Sequence, residues 1–185
     1  MTLPTLRTER LMLRPFVAAD APLIQQLAGA REVALNTQMI PHPYPDGAAE
    51  EWIASQAEQN ERGSITFAID DGQLVGGIGL RVQREFERAE AGYWLGVPFW
   101  GRGYVSEALG AIIRYGFEEL RLNRIYAGYF SRNAASGRVM EKNGMKREGV
   151  LRQHVLKWDE YVDVVYYGIL REEWIGGMRD EKDAG

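Results

Sequence analysis

The sequence contains no cysteine and only two histidines, His42 and His154, among its 185 residues. The absence of cysteine excludes a disulfide framework, a cysteine-ligated zinc site and a thiol nucleophile. Because the two histidines lie far apart in sequence, we expect no metal site. No stretch approaches the roughly 18 apolar residues that a membrane-spanning helix needs. We therefore expect chemistry that uses neither a metal nor a cysteine.

Basic residues are too few for a surface typical of nucleic-acid binding. The chain has 22 Lys and Arg against 26 Asp and Glu, and a net charge of −4. Nucleic-acid-binding surfaces are usually basic, so a partner that itself carries basic groups is easier to accommodate. The start of the chain has no charged-then-apolar signal pattern, and we expect a cytoplasmic location without membrane attachment.

The length and composition are those of one globular domain. A chain of 185 residues that is 45% hydrophobic and 26% charged can bury an adequate core. No linker or internal repeat suggests a second unit. We place the domain at residues 1–175 and expect residues 176–185 to form a polar, disordered tail.

Residues 89–120 are the most informative stretch, because they predict a strand, a glycine-containing turn and a helix. Residues 89–95 have β character, and Pro98 ends the strand because it has no amide hydrogen. From Tyr104 onward, apolar residues recur at the spacing of one helix face.

The turn itself predicts an anion site. Gly101 and Gly103 flank Arg102 and leave the backbone open to a ligand. The turn directs free amide hydrogens and the positive end of a helix dipole to one point, which suits phosphate or pyrophosphate. The pattern is neither a Walker loop nor a dinucleotide fingerprint, since Ser106 stands in place of the third glycine. On spacing alone, a tight connection between strand and helix is the more common explanation of such a glycine pair.

The periodicity of the whole chain predicts the order βααβββαβαββ. We expect an α/β fold with a mixed sheet of about seven strands and helices on both faces. The strands on either side of the central helix should be parallel neighbours. Gly76, Gly77 and Gly79, in the strand predicted from Gln73 to Val82, suggest a bulge or a close backbone approach. Three residues are expected to cap helices, namely Asp20, Asp46 and Asn133.

Several segments resemble, in order, the motifs of the GNAT acetyltransferase family. The resemblance covers nearly the whole chain and is strongest for the RimJ/RimL-type branch, which acetylates the N-termini of ribosomal proteins. The closing run from Tyr161 to Trp174 also fits that branch. The segments that carry it are Arg10-Leu11-Met12-Leu13-Arg14-Pro15, Gly92-Tyr93-Trp94-Leu95, Trp100-Gly101-Arg102-Gly103-Tyr104 and the run from Asn133 to Met145.

The resemblance implies a GNAT fold, in which two central strands splay apart and acetyl-coenzyme A binds in the cleft. It places the pyrophosphate at the turn, the pantetheine arm along the end of the preceding strand and against Asn133, and the thiol at Ser136. The cofactor residues it implies are Leu95, Gly96, Val97, Gly101, Arg102, Gly103, Tyr104, Val105, Ser106, Asn133 and Ser136.

The chain departs from the family pattern at positions that affect the catalytic assignment. Trp100 and Val105 replace the usual first and last residues of the loop, and Ser136 stands where the wider family has a tyrosine. The glutamate that acts as base in this branch aligns with Val155, so the resemblance assigns no base in this chain. We take Glu90 as the first candidate base and His154 as the second. A structural glutamate and a partly buried core histidine are the alternatives.

The resemblance implies direct attack of an amine on the thioester. A protein α-amino group, with a pKa of about 7.7–8.0, is more often neutral than a lysine and needs little help from a base. A protein N-terminus is therefore the first acceptor considered. A small-molecule amine is the second, and a non-catalytic acyl-coenzyme A binding module is a third possibility. Relatives often pair, so a homodimer is a further expectation. We predict an acceptor pocket lined by Met39, Ile40, Tyr44, Trp52 and Tyr93, although helix packing also explains the first four.

Overall fold

A computed structural model describes residues 3–183, and in this part of the chain eight strands form one sheet. The expected sheet had about seven strands, and the additional one is β1, a two-residue strand that pairs with β2. Along the sheet, the strands are β1 (Leu6–Arg7), β2 (Met12–Arg14), β3 (Ser64–Asp70), β4 (Leu74–Gln83), β5 (Arg88–Leu95), β6 (Arg124–Phe130), β8 (Glu160–Leu170) and β7 (Lys146–Lys157).

Helices pack on both faces of the sheet, as predicted. The first cluster of buried residues joins α4 to one face, and the second joins α1 and α3 to the other. A short helix, α2, follows α1 after two residues. The helices are α1 (Ala21–Ala28), α2 (Arg31–Leu35), α3 (Ala48–Glu61), α4 (Tyr104–Glu118), α5 (Ala134–Lys142) and α6 (Arg171–Asp183).

The closing helix α6 corrects the prediction of a disordered tail as far as residue 183. The helix continues through Gly176 and Gly177 to Asp183, although glycine is a poor helix former. Its first turn is fixed by packing, because the ring of Trp174 lies 5.4 Å from that of Phe117 in the core. The last two residues of the expected tail lie outside the described residues, and the domain boundary at residue 175 stays a prediction.

The apolar stripe of α4 forms the centre of the core. Leu109, Ile112 and Phe117 are completely buried on this helix. They pack against sheet residues such as Phe67 and Ile125, which are also completely buried. Burying one such side chain stabilises the fold by about 1.5–3 kcal/mol, so this stripe fixes α4 on the sheet. The helix predicted from the spacing is confirmed.

The strands β5 and β6 are parallel neighbours that diverge. They pair only from Arg88 opposite Arg124 to Glu90 opposite Tyr126. Beyond that point β5 stays paired with β4, whereas β6 stays paired with β8 as far as Phe130. The parallel crossover and the splayed pair are therefore both confirmed, and they leave a cleft between the two strand ends.

The glycines of β4 allow the close approach that the sequence indicated. A Cβ atom at Gly77 would lie 2.6 Å from the Trp94 indole nitrogen, and one at Gly79 would lie 2.5 Å from the Ile65 carbonyl oxygen. The register also shifts between Ile69 and Asp70 on the neighbouring strand. The absence of a side chain at Gly77 therefore leaves room for the Trp94 ring against β4.

None of the three residues predicted as helix caps makes the expected side-chain hydrogen bond. Each residue lies at or next to the start of its helix, but its side chain forms a hydrogen bond with another side chain instead of with the helix backbone. Asp20 accepts from the Arg14 guanidinium, and Asp46 accepts from Gln25 at 2.8 Å. Asn133 donates to the Ser136 hydroxyl oxygen.

The Arg14 guanidinium joins two buried carboxylates. It donates to Asp20 at 2.8 Å and to Asp70 at 2.7 Å. Burial raises the pKa of Asp20, but hydrogen bonds from Arg14 and the Val17 amide outweigh burial and lower the pKa below its usual value. The stabilisation is thus present above the unfolded-state pKa and is lost as the pH falls through the lowered folded-state pKa.

An Arg14→Met variant should have a free energy of unfolding about 3 kcal/mol lower than that of the wild type, measured by urea denaturation at neutral pH. The reason is that it leaves two buried carboxylates unpaired. Its stability should also fall less on acidification, since the favourable pairing is already gone. The matched control is Arg62→Met, which removes an exposed pair with Glu58 and should change stability by about 0.5 kcal/mol or less. Equal stability of the two variants would contradict this assignment.

Candidate active site

The loop between β5 and α4 presents a row of free amide groups. Gly101 and Gly103 have φ angles of 77° and 81°, in the left-handed region that favours glycine. Within residues 3–183, the backbone amides from Gly101 to Ser106 donate to no backbone acceptor. The Trp100 indole nitrogen donates to the Leu95 carbonyl oxygen at 2.7 Å and closes the loop over the end of β5. The loop therefore has the geometry of an anion site at a helix N-terminus.

The N-terminal hairpin holds this loop in place through Glu107, in the first turn of α4. Its carboxylate accepts from the Arg10 amide at 2.8 Å and from the Arg10 guanidinium at 2.7 Å. Arg10 also donates to the Arg102 carbonyl oxygen at 3.0 Å. Burial raises the pKa of Glu107, but hydrogen bonds from Thr8 and Arg10 outweigh it and lower the pKa. The ionised carboxylate thus fixes the start of the helix.

Two asparagines orient the serines predicted to meet the coenzyme. Asn133 donates to the Ser136 hydroxyl oxygen at 3.1 Å, and Asn143 donates to the Ser106 carbonyl oxygen at 3.1 Å. Since the Ser136 oxygen accepts from Asn133, its own proton stays available to another acceptor. The structure thus brings the Asn133 motif beside the α4 loop.

Tyr93 connects the two sides of the cleft. Its hydroxyl donates to the Ser136 carbonyl oxygen at 3.4 Å, which is a long contact. Burial, opposed by the Ser136 contact and assisted by Tyr129, raises the pKa of Tyr93 to about 12. At neutral pH the hydroxyl therefore remains a proton donor beside Ser136.

A cavity of about 510 Å³ lies between the sheet and the loop that precedes α3. It adjoins the point where β5 and β6 diverge. All five residues predicted for the acceptor pocket line it, together with Glu90: Met39, Ile40, Tyr44, Trp52 and Tyr93. Ile40, Tyr44 and Trp52 also pack on the apolar cluster beneath α1 and α3. These three side chains therefore both line the cavity and pack beneath the helices, and the binding of an acceptor there stays a prediction.

Glu90 and His154, the two candidate bases, have different surroundings. Glu90 lines the cavity and pairs with Arg81 at 3.6 Å. His154 lies exposed on β7, its ring 6.2 Å from that of Tyr166, and it is not among the residues that line the cavity. The expectation of a partly buried core histidine is wrong, because β7 is the edge strand of the sheet. Val155 packs with Phe130 and supplies no base.

Several cavity residues were missed by the sequence analysis. Gly92 and Trp94 share a strand face with Glu90, so period-two alternation along β5 could have revealed them. The β6 residues gave no such signal, because their access to the cavity depends on how far the two strands diverge. The missed residues include Arg81, Gly92, Trp94, Tyr129 and Phe130.

Two basic side chains hold the segment that covers the cavity: Lys157 at the end of β7 and Arg132 just after β6. The Lys157 ammonium is buried and donates to the Ile40 carbonyl oxygen at 3.1 Å. Arg132 donates to the Leu35 carbonyl oxygen at 2.8 Å. Burial and the nearby Arg132 charge lower the pKa of Lys157. These contacts position the segment although they lie outside the cavity.

Among the described residues, no group of three or more His, Cys, Asp or Glu side chains could hold a metal ion. In the same part of the chain, no helix is both long enough and apolar enough to cross a membrane.

The splayed parallel pair, the amide-rich loop before α4 and the asparagine-led α5 together define an acetyltransferase fold. The chain belongs to the GNAT acetyltransferase family, since the family model described as an acetyltransferase (GNAT) domain matches residues 10–146. Enzymes of this family take the acetyl group from acetyl-coenzyme A.

Named relatives and a solved structure agree with this membership. The chain is 34% identical over 179 residues to an uncharacterized N-acetyltransferase p20 of Bacillus licheniformis, covering 93% of this chain and 99% of the relative. It is 29% identical over 145 residues to the [ribosomal protein uS5]-alanine N-acetyltransferase of Escherichia coli. That match covers 74% of this chain and 73% of the relative. The chain also superposes on a solved structure of RimL, a ribosomal L7/L12 alpha-N-protein acetyltransferase in complex with coenzyme A. The TM-score is 0.83 at 20% sequence identity, and the match covers 90% of this chain and 98% of RimL. At that identity, the superposition supports the fold alone.

Proposed function

We propose that this chain transfers acetyl from acetyl-coenzyme A directly to a primary α-amine, and that a protein N-terminus is the first acceptor to test. The observation that carries the proposal is the position of Tyr93. Its ring lines the cavity, while its hydroxyl contacts Ser136 in the cleft. An acceptor in the cavity would thus lie next to the cleft in which the thioester binds.

The residues of the cleft fit the coenzyme. The free amides from Gly101 to Ser106 suit its pyrophosphate. The edge of β5 that faces β6 has no strand partner beyond Glu90, which suits the amides of a pantetheine arm. Two backbone groups expected to meet that arm already have partners within the protein. The Leu95 carbonyl oxygen accepts a hydrogen bond from the Trp100 indole, and the Gly96 amide donates one to the Val75 carbonyl oxygen. The bound coenzyme supplies an acetyl thioester.

Glu90 is the proposed base. Its carboxylate would attract the acceptor ammonium and accept its proton, directly or through one water molecule. An α-amine with a pKa of about 7.7–8.0 needs only modest help at neutral pH. Arg81 lies 3.6 Å from Glu90 and pairs with its carboxylate at the wall of the cavity.

Ser136 is the proposed donor to the departing sulfur. Asn133 occupies one lone pair of its hydroxyl oxygen and leaves the proton free. The protonated Tyr93 hydroxyl is a second donor close by.

A small-molecule amine is the second candidate acceptor, and the aromatic walls of the cavity favour it. The relative named as a ribosomal-protein alanine acetyltransferase favours the first. The proposed homodimer, the cytoplasmic location and the lack of a nucleic-acid partner stay predictions.

A thiol-release assay with acetyl-coenzyme A tests the proposal. The acceptors would be peptides with varied N-terminal residues, free amino acids, polyamines and aminoglycosides. Glu90→Gln should lower kcat/KM about tenfold or more without changing coenzyme affinity, since it removes only the base. His154→Ala, the matched control, should behave as wild type. Coenzyme binding without thiol release above background would instead indicate a binding module.

A further inference from the structure

The walls of the cavity are mainly aromatic and apolar. Trp52, Trp94 and Phe130 contribute ring surfaces, and Ile40 contributes an aliphatic one. The Trp52 ring is fixed by an edge-on contact with Phe16, whose centroid lies 4.8 Å away. A volume of about 510 Å³ is within the roughly 300–1,000 Å³ typical of small-ligand sites. Five uncharged polar side chains also line the cavity: Asn36, Thr37, Gln38, Ser64 and Thr66. The aromatic and aliphatic surfaces would bind apolar groups, and a hydrophilic group placed against them would find no partner there.

The charges in the cavity allow one ammonium group. Among the described lining residues, Glu90 is the only acidic side chain and Arg81 the only basic one. The two lie 3.6 Å apart. A second cationic group on the same acceptor would find no carboxylate and would be repelled by Arg81. The cavity is thus poorly matched to polyamines.

Gly92 leaves open space next to Glu90. The two residues lie on the same face of β5, two positions apart. A Cβ atom built on Gly92 would meet no atom within 4 Å. By contrast, one on Gly128, which also lines the cavity, would lie 2.9 Å from Val164 and Tyr166 atoms. The open space at Gly92 can therefore accommodate a substituent that extends from an amine bound at Glu90.

We propose that the acceptor carries a bulky apolar or aromatic group on the carbon next to its amine or one carbon further away. The amine lies at Glu90, and the apolar group fills the space over Gly92 against Trp94 and Trp52. Gly92 thereby determines acceptor specificity. The inference rests on the proposed function and names the substrate class for the same site.

A peptide series that differs only in its first residue tests the inference. Peptides beginning with Phe or Leu should show kcat/KM values about tenfold or more above those beginning with Ser or Ala, because a hydrophobic pocket gains roughly this factor per methylene. Phenethylamine should likewise exceed spermidine. Equal or better turnover of the Ser and Ala peptides would overturn the inference and leave the proposed function intact.

The Gly92→Val variant tests the position of the apolar group. It should lower the ratio of kcat/KM for the Phe peptide to kcat/KM for the Ser peptide about tenfold or more. Gly149→Val is the matched control, because Gly149 is also a strand glycine with nothing within 4 Å of its Cβ position but lies outside the cavity. This control should keep the wild-type preference. An unchanged preference in Gly92→Val would also overturn the inference.

A binding measurement separates this inference from the proposed function if no acceptor is turned over. Calorimetry in the presence of coenzyme A would compare N-acetyl-phenylalanine amide with N-acetyl-serine amide. Tighter binding of the phenylalanine compound to wild type, lost in Gly92→Val, would support the inference even if the proposed function failed. Equal binding of the two compounds would overturn it.

Discussion

A Gly103→Val variant is expected to bind coenzyme A about 100-fold more weakly than wild type, measured by calorimetry. Gly103 has a φ angle of 81°, and a side chain in this region costs roughly 1–2 kcal/mol. Its Cβ would lie 3.4 Å from an Arg10 guanidinium nitrogen, so the valine methyl groups would displace Arg10 from the Arg102 carbonyl. The loop amides would then no longer point to one phosphate position. A loss of about 2.7 kcal/mol corresponds to this factor, and one or two charge-assisted hydrogen bonds account for it.

Gly72→Val is the matched control for this prediction. Gly72 also has a positive φ, 108°, in the turn between β3 and β4, and nothing lies within 4 Å of its Cβ position. The control shares the backbone strain but makes no contact with the α4 loop. It should lose stability and keep wild-type coenzyme affinity. If both variants bound coenzyme A equally well, the loop would not be the pyrophosphate site.

The elements with strong periodicity could be predicted from the sequence alone. β5 covers Arg88–Leu95, where β character was predicted over residues 89–95, and α4 begins at Tyr104, as the spacing indicated. The glycines of β4 also indicated a close approach correctly. In each case the signal is local, since the spacing of apolar residues or the absence of a side chain determines the backbone nearby.

Features that depend on distant parts of the chain could not be predicted in this way. The Asp20 carboxylate was predicted to cap a helix, but it accepts a hydrogen bond from Arg14 instead. Arg14 also donates to Asp70, which is distant in sequence. The exposure of His154 follows from the position of β7 at the sheet edge, which no local pattern encodes. The cavity likewise needs the loop near Ile40, the face of β5 and the end of β6 in one place. Only tertiary packing brings these segments together.

The proposed donor Ser136 gives the second large expected effect. Ser136→Ala should lower kcat about ten- to a hundredfold, or roughly 1.4–2.7 kcal/mol, with KM for both substrates unchanged. The hydroxyl would stabilise charge that develops on sulfur only as the thioester breaks, so its loss affects the transition state and not the ground state. The loss should stay moderate, since a thiol with a pKa near 8.5 is a tolerable leaving group.

Tyr93→Phe provides the comparison, because it removes the hydroxyl beside Ser136 and keeps the ring that lines the cavity. With a pKa of about 12, the Tyr93 hydroxyl is protonated at neutral pH and is the alternative donor. Single-turnover rates of both variants and of the double variant isolate the chemical step. If Ser136 is the donor, its variant is slow and the Tyr93 change adds little. A Ser136→Ala variant with the wild-type rate, together with a slow Tyr93→Phe variant, would instead assign the proton donor to Tyr93.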